Sequence, residues 1–201
     1  MPYPNSFFDD RESAQQFGGL LREMLLALAF LALLVGAGRW GLGFDQRSTR
    51  YLACDAEALD FKRGLRAYVG QGARFAGGEM QSDRVAHSGT YAVELTRKHP
   101  YGMTYEEKHL QGNEHYRVAV WRHGGEREAT RGKLVASVDG CFWQATGEVV
   151  AREDSGWEQI AFEFSPPVEC QHQLLKIFCW NEGRTPLYFD DLEIWVRYKE
   201  W

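Results

Sequence analysis

Two rhythms of apolar and polar residues divide this chain. Met24–Gly38, MLLALAFLALLVGAG, runs fifteen residues without a charge or a strongly hydrogen-bonding side chain. A bilayer core needs about 20 apolar residues at ~1.5 Å rise each. Leu20 and Leu21 extend the run on one side, and Trp40, Leu42 and Phe44 on the other. Arg22 and Arg39 can snorkel to the headgroups. Residues 20–44 are therefore predicted to form one transmembrane helix, with Trp40 as an interfacial anchor. From Arg50 onward, short β-branched and aromatic runs of period two alternate with Gly, Asn, Asp and Pro, which predicts an antiparallel β-sandwich. The expected strands are Tyr51–Cys54, Leu65–Val69, Thr90–Thr96, Met103–Lys108, His115–His123, Lys133–Val138, Phe142–Ala151, Glu158–Phe164, Leu174–Trp180 and Leu187–Tyr198. Tyr116, Val118 and Val120 point one way, and Arg117, Ala119 and Trp121 the other. Ile160, Phe162 and Phe164 alternate in the same manner with Gln159, Ala161 and Glu163. Gly112-Asn113 is expected to turn a hairpin, and Pro166-Pro167 to end a strand by withdrawing backbone donors.

The expected organisation is a stub over residues 1–19, the helix over 20–44, a linker over 45–50 and the sandwich over 51–201. Two other readings of the apolar run are weighed against a retained anchor. Val35-Gly36-Ala37 offers the small residues a signal peptidase accepts, but the preceding region is over twenty residues long and carries Asp9, Asp10, Glu12 and Glu23 rather than a basic cluster. A buried helix of a soluble protein needs helical neighbours, and no helix longer than two turns is suggested after residue 50. Within the run, Ala29, Ala32 and Gly36 follow i, i+3, i+7 spacing and form one stripe, while Leu26, Phe30, Leu33 and Leu34 supply bulk elsewhere. Small residues let membrane helices approach closely, so the stripe is the candidate face for docking on other membrane subunits. Arg11 and Arg22 precede the span, whereas Arg39, Arg47 and Arg50 follow it. Positive charge alone favours a cytoplasmic domain, although long domains translocate largely regardless of it.

Composition narrows the partners. The net charge of −5 and the lack of a basic run argue against nucleic acid, because phosphate binding needs clustered Lys and Arg. The four cysteines, at 54, 141, 170 and 179, form no CxxC pair; three disulfide pairings stay open, and so do free thiols. Catalysis finds little support. The six histidines form no i, i+4 helical pair for zinc, and Gly-x-Ser-x-Gly is absent. Glu106 and Glu107 are adjacent on a strand and so face opposite sides. The Gly-rich stretch Gly70–Gly78 precedes no helix that could cradle a phosphate. A non-enzyme is expected.

In order, the chain presents Asp55-x-Glu57, Ala86-His87-Ser88-Gly89-Thr90-Tyr91, Tyr116-Arg-Val-Ala-Val-Trp121, Gly156-Trp157, Lys176-Ile-Phe-Cys-Trp180-Asn181 and Tyr188-Phe-Asp190-Asp191-Leu192. This string resembles the galactose-binding-domain-like jelly rolls, which include several carbohydrate-binding modules, over about residues 50–198. The resemblance implies a mainly β, antiparallel jelly-roll sandwich of the kind found in exported bacterial proteins. It thereby places the large domain in the periplasm, with a single pass through the inner membrane. It implies that Trp121, Trp157 and Trp180 pack the core. A sugar-stacking role would then fall to Trp143, Tyr101, Tyr105, Phe142 and Trp195, with packing in the core or at its rim as the alternative for them. It also implies a structural calcium held by Glu57 with Asp190 or Asp191, since a hard cation takes carboxylate oxygens. The chain departs from the usual pattern in having Cys54-Asp55-Ala56 before the Glu, and an unmetallated Asp bonding a loop backbone is an equal alternative. Two functional expectations follow: a non-catalytic accessory subunit of a larger membrane assembly, or a membrane-anchored carbohydrate-binding module of the cell envelope.

Overall fold

The computed structural model describes residues 49–62, 64–124 and 131–198. The predicted stub, the transmembrane span with Ala29, Ala32 and Gly36, and most of the predicted linker lie outside the described residues. Among the described residues no helix is long and apolar enough to cross a membrane. The remainder is an antiparallel β-sandwich. Its strands are β1 (Thr49–Cys54), β2 (Leu59–Lys62), β3 (Leu65–Val69), β4 (Arg74–Ala76), β5 (Gln81–Ser82), β6 (Ala92–Leu95), β7 (Tyr101–Glu107), β8 (Glu114–His123), β9 (Gly132–Val138), β10 (Phe142–Thr146), β11 (Val149–Arg152), β12 (Glu158–Phe164), β13 (Leu175–Asn181) and β14 (Leu187–Tyr198). The first sheet runs β11-β12-β8-β14-β6-β5, with β1 also paired on β14; the second runs β10-β9-β13-β7-β4-β3-β2.

Nine of the ten expected strands are present and the tenth is divided, with three corrections in all. Short strands β2, β4 and β5 were not expected; with two to four residues each they carry too little period-two signal to be seen in the sequence. The run expected as one strand over Phe142–Ala151 is two. β10 pairs with β9 in the second sheet, and after Gly147-Glu148 the chain passes to the first sheet, where β11 pairs with β12. Gly112-Asn113 does not turn a hairpin either. It links β7 to β8, which belong to different sheets, and Glu114 accepts the amides of Gln111 and Gly112 at 2.7 Å each.

The alternating faces meet in one core. Tyr116, Val118 and Val120 of β8 face Ile194 and Val196 of β14 and Leu134, Ala136 and Ile177 of the other sheet, all essentially without exposure. Phe164 stacks on Tyr116 at 5.0 Å and on Phe142 at 5.5 Å. Charged clusters tie the sheets at two levels. Arg122 of β8, fully buried, donates to Glu158 at 2.9 Å and to the carbonyl of Gly132 on β9. Arg50 of β1 bonds Tyr105 and Glu107 of β7. Glu107 pairs with Leu175, and Gly132 with Asn181, six residues along β13. The two ties are therefore about 20 Å apart at ~3.3 Å per residue. A disulfide joins Cys141 to Cys170, whereas Cys54 and Cys179 stay as buried thiols.

Candidate functional site

On β13 the residues alternate strictly. Leu175, Ile177 and Cys179 face the core, so Lys176, Phe178 and Trp180 face outward. Trp180 lies opposite Tyr101 of β7 on one side and Lys133 of β9 on the other. Phe178 lies opposite Val135, and Trp143 of β10 opposite Ser137. Four rings from three strands thus gather on one outer face. Tyr101 contacts Phe178 edge-on at 5.7 Å and Trp180 in a stack at 6.2 Å. Trp143 meets Phe178 and Trp180, each at 6.4 Å. They roof Val135, which has no exposure although it sits on the outward side. Tyr101 and Trp143 themselves are 53% and 59% exposed. Beside the rings opens a groove of about 860 Å³ that Ser137, Asp139, Gln173 and Lys176 edge with donors and acceptors. Flat apolar faces with polar groups at their rim suit a ligand that is itself apolar on one face and hydroxylated at its edge.

A β-bulge sets this face. Tyr101 and Tyr105 have the same parity, so a regular strand would present both on one side. The register of β7 against β13 shifts between Ile177 and Cys179, and Met103 takes φ 48°. The extra residue turns Tyr101 outward and leaves Tyr105 inside. Tyr105 is 6% exposed and donates to Glu107 at 2.7 Å. Of the aromatics expected to bind sugar, then, Tyr101 and Trp143 are brought together. Tyr105 points into the sandwich; Phe142, partly buried and stacked on Phe164, also lines the groove beside Trp143. Trp195 lies on the other sheet, with the Arg117 guanidinium 5.3 Å from its ring centroid.

The three tryptophans expected in the core divide. Trp157 is 3% exposed. Trp121 faces outward on β8, half-buried under the imidazole of His87, stacked at 4.3 Å. Trp180 is the outward ring described above. The sequence reading missed Phe178 and Trp180 as surface aromatics, yet the signal was present. Both share parity with Lys176, whose ammonium must reach water.

The residues considered for calcium lie around the turn over residues 86–91. The register of β14 on β8 shifts between Asp190 and Glu193, and Asp191 takes φ 50°. Asp190 is fully buried and accepts the amides of His87 at 2.9 Å, Ser88 at 3.2 Å and Asp191 at 2.8 Å. Asp191 accepts from the Ser88 hydroxyl at 2.8 Å and lies 2.7 Å from Nδ1 of His87, whose Nε2 is 3.3 Å from Glu153. On the far side of the turn, Glu57 accepts the amides of Thr90 at 2.8 Å and Tyr91 at 2.7 Å. A Cβ at Gly89, φ +59°, would lie 2.5 Å from that carboxylate. Glu57 and Asp190 therefore meet backbone N–H groups, and Asp191 meets a hydroxyl and an imidazole. Among the described residues, no three His, Cys, Asp or Glu side chains gather as a metal group. Burial, then the charge of Asp191, pushes Asp190 up to about 7 despite its three N–H donors. Burial pulls His87 down, but its bonds to Asp191 and Glu153 outweigh it and hold the imidazolium above its ordinary range.

No family model and no curated protein matches the chain. Solved structures do resemble it. An apo cyclase from Fischerella sp. is 14% identical with a TM-score of 0.44, over 75% of this chain and 84% of its own. The CBM22-1 xylan-binding domain of Paenibacillus barcinonensis Xyn10C is 12% identical with a TM-score of 0.44, over 74% of this chain and 94% of its own. TmCBM61 in complex with β-1,4-galactotriose is 24% identical with a TM-score of 0.34, over 57% and 74%.

Proposed function

We propose that the sandwich is a non-catalytic carbohydrate-binding module with a galactose-binding-domain-like jelly-roll topology. The carrying observation is the outward cluster of Tyr101, Trp143, Phe178 and Trp180 beside a groove with polar edges. Four large rings gathered at a sheet surface cover Val135, yet two of them are more than half exposed, and they fit the apolar faces of pyranose rings. A binding role rather than a catalytic one is supported at the His87–Ser88 turn. The Ser88 hydroxyl donates to Asp191, and His87 turns both ring nitrogens to carboxylates, so no serine–histidine pair forms there. The Cys141–Cys170 disulfide fits an oxidising compartment, which favours the extracytoplasmic side. Calorimetric titration with neutral β-1,4-linked oligosaccharides tests this reading. Trp180→Ala and Trp143→Ala should each weaken binding about tenfold or more, a loss of ~1.4 kcal/mol. Binding that neither substitution changes would remove the platform.

A second reading rests on Met24–Gly38 and its stripe of Ala29, Ala32 and Gly36. It makes the protein an accessory subunit of a membrane assembly, with the helix docked on partner helices and the sandwich on the extracytoplasmic face. Purification in mild detergent tests it. Ala32→Leu with Gly36→Leu should leave the protein inserted but release its partners. Retention of the same partners would make the span a passive tether.

A further inference from the structure

The opposite outer face carries a second aromatic feature, a trough running across the strands of the first sheet. Register places Ala161 of β12, Ala119 of β8, Glu193 of β14 and Ala53 of β1 in one row. The row on one side is Glu163, Arg117, Trp195 and Tyr51. On the other side Gln159 faces Trp121. Alanines thus floor the channel on either side of Glu193, which accepts the Tyr51 hydroxyl at 2.7 Å; Trp195 and Tyr51, in contact at 5.4 Å, form one wall and Trp121 the other. It opens into a cleft of about 350 Å³ at the β12 end and one of about 280 Å³ at the β1 end, and Glu193 lines both. Three strand spacings of ~4.8 Å make the trough about 14 Å long, the reach of a short oligosaccharide rather than of one sugar.

We propose that this trough is a second carbohydrate subsite, back to back with the first, so that one sandwich can bridge two glycan chains. The inference rests on the carbohydrate reading above. Aromatic walls supply apolar contact to pyranose rings, while Gln159, the Arg117 guanidinium laid over the Trp195 ring, and the Glu193 carboxylate, one oxygen of which already accepts from Tyr51, offer donors and acceptors to hydroxyls. Arg117 lies 3.9 Å from Glu163, which balances charge at the β12 end, whereas Asp55, Asp191 and Glu193 line the β1 end, so the trough fits a neutral glycan and repels an anionic one. The core separates the two faces, so neither site can borrow the other's rings.

The full-length protein, in a detergent without a sugar headgroup, is titrated calorimetrically with xylohexaose, cellohexaose and β-1,4-galactotriose. Two molecules bound per chain are expected. Trp195→Ala, which removes a wall, and Ala161→Leu, which fills the floor, should each reduce this to one, and Trp180→Ala should remove the other. Where Ala161→Leu fails to fold, Gln159→Ala is used and should weaken one of the two sites about tenfold. A single site lost with Trp180→Ala and untouched by Trp195→Ala, Ala161→Leu and Gln159→Ala overturns the trough and leaves the first platform standing. A single site lost with Trp195→Ala but kept in Trp180→Ala supports the trough and overturns the platform. Binding of none of the three sugars overturns both.

Discussion

Asp190 and Asp191 grip the same two residues in different ways: Asp190 accepts the backbone amides of His87 and Ser88, and Asp191 engages their side chains. Neighbours on a regular strand would point to opposite faces. The bulge at Asp191, with φ 50°, aims both carboxylates at one turn. Asp tolerates this left-handed conformation better than most residues do.

Removing the two carboxylates should therefore have unequal effects. Asp190→Ala strands three amides and should lower stability by roughly 3 kcal/mol or more, since each buried unsatisfied donor costs ~1–3 kcal/mol. Asp191→Asn keeps a left-handed-tolerant residue and an acceptor, and should stay within ~1 kcal/mol of wild type. Urea denaturation of both variants measures the contrast. Equal losses would mean that Asp190 does not hold the turn alone.

Stability should fall as pH rises from about 5 to 8. Asp190 titrates near 7 when folded but near ~3.9 unfolded, so the native state binds the extra proton and loses stability as pH climbs through that window. His87, raised by its carboxylate partners, contributes fully below its unfolded value of ~6.5 and loses that contribution as pH passes its higher folded value. The two trends have the same sign. Melting curves at pH 5.5, 6.5, 7.5 and 8.5 should give a steadily falling Tm, and His87→Gln should flatten the upper half. A Tm that rises over this range would reverse the assignment.

Reduction should loosen the region beside the Trp143 groove. The Cys141–Cys170 bridge closes a separation of 29 residues and links the start of β10 to the turn over Val168–Cys170. Cys141→Ser with Cys170→Ser should cost ~2–4 kcal/mol. Cys54 and Cys179 are buried thiols, with burial pushing Cys54 up to about 12, so they should resist alkylation in the folded protein. Mass spectrometry after brief iodoacetamide treatment reads this directly. Rapid labelling of Cys54 would show that its end of β1 opens.

Calcium should leave the melt unchanged. Glu57 and Asp190 already meet five backbone amides between them. Thermal melts in millimolar calcium and in EGTA should agree within about a degree. Stabilisation by calcium of several degrees would place an ion among these carboxylates after all.

Much of the fold was legible in the order of residues. Period-two alternation in Glu114–His123 and Glu158–Phe164 identifies strands and their buried faces, because side-chain direction on a strand is fixed by parity alone. The opposition of Glu106 and Glu107 follows the same rule: one is exposed, and the other is buried against Arg50 and Tyr105. Parity also pointed to Phe178 and Trp180 as outward rings through Lys176, once tryptophan was not assigned to the core by resemblance. The remaining features depend on breaks in parity and on partners distant in sequence. The bulges at Met103 and Asp191 reverse the faces of Tyr101 and of an aspartate, and no local pattern announces a one-residue insertion whose register is set by the opposing strand. Phe142–Ala151 reads as one apolar run but divides between two sheets, because pairing with β9 and β12 is chosen by long-range packing. The disulfide and the trough of Ala53, Ala119 and Ala161 are likewise products of strand order: residues tens of positions apart become neighbours only when the sheets form.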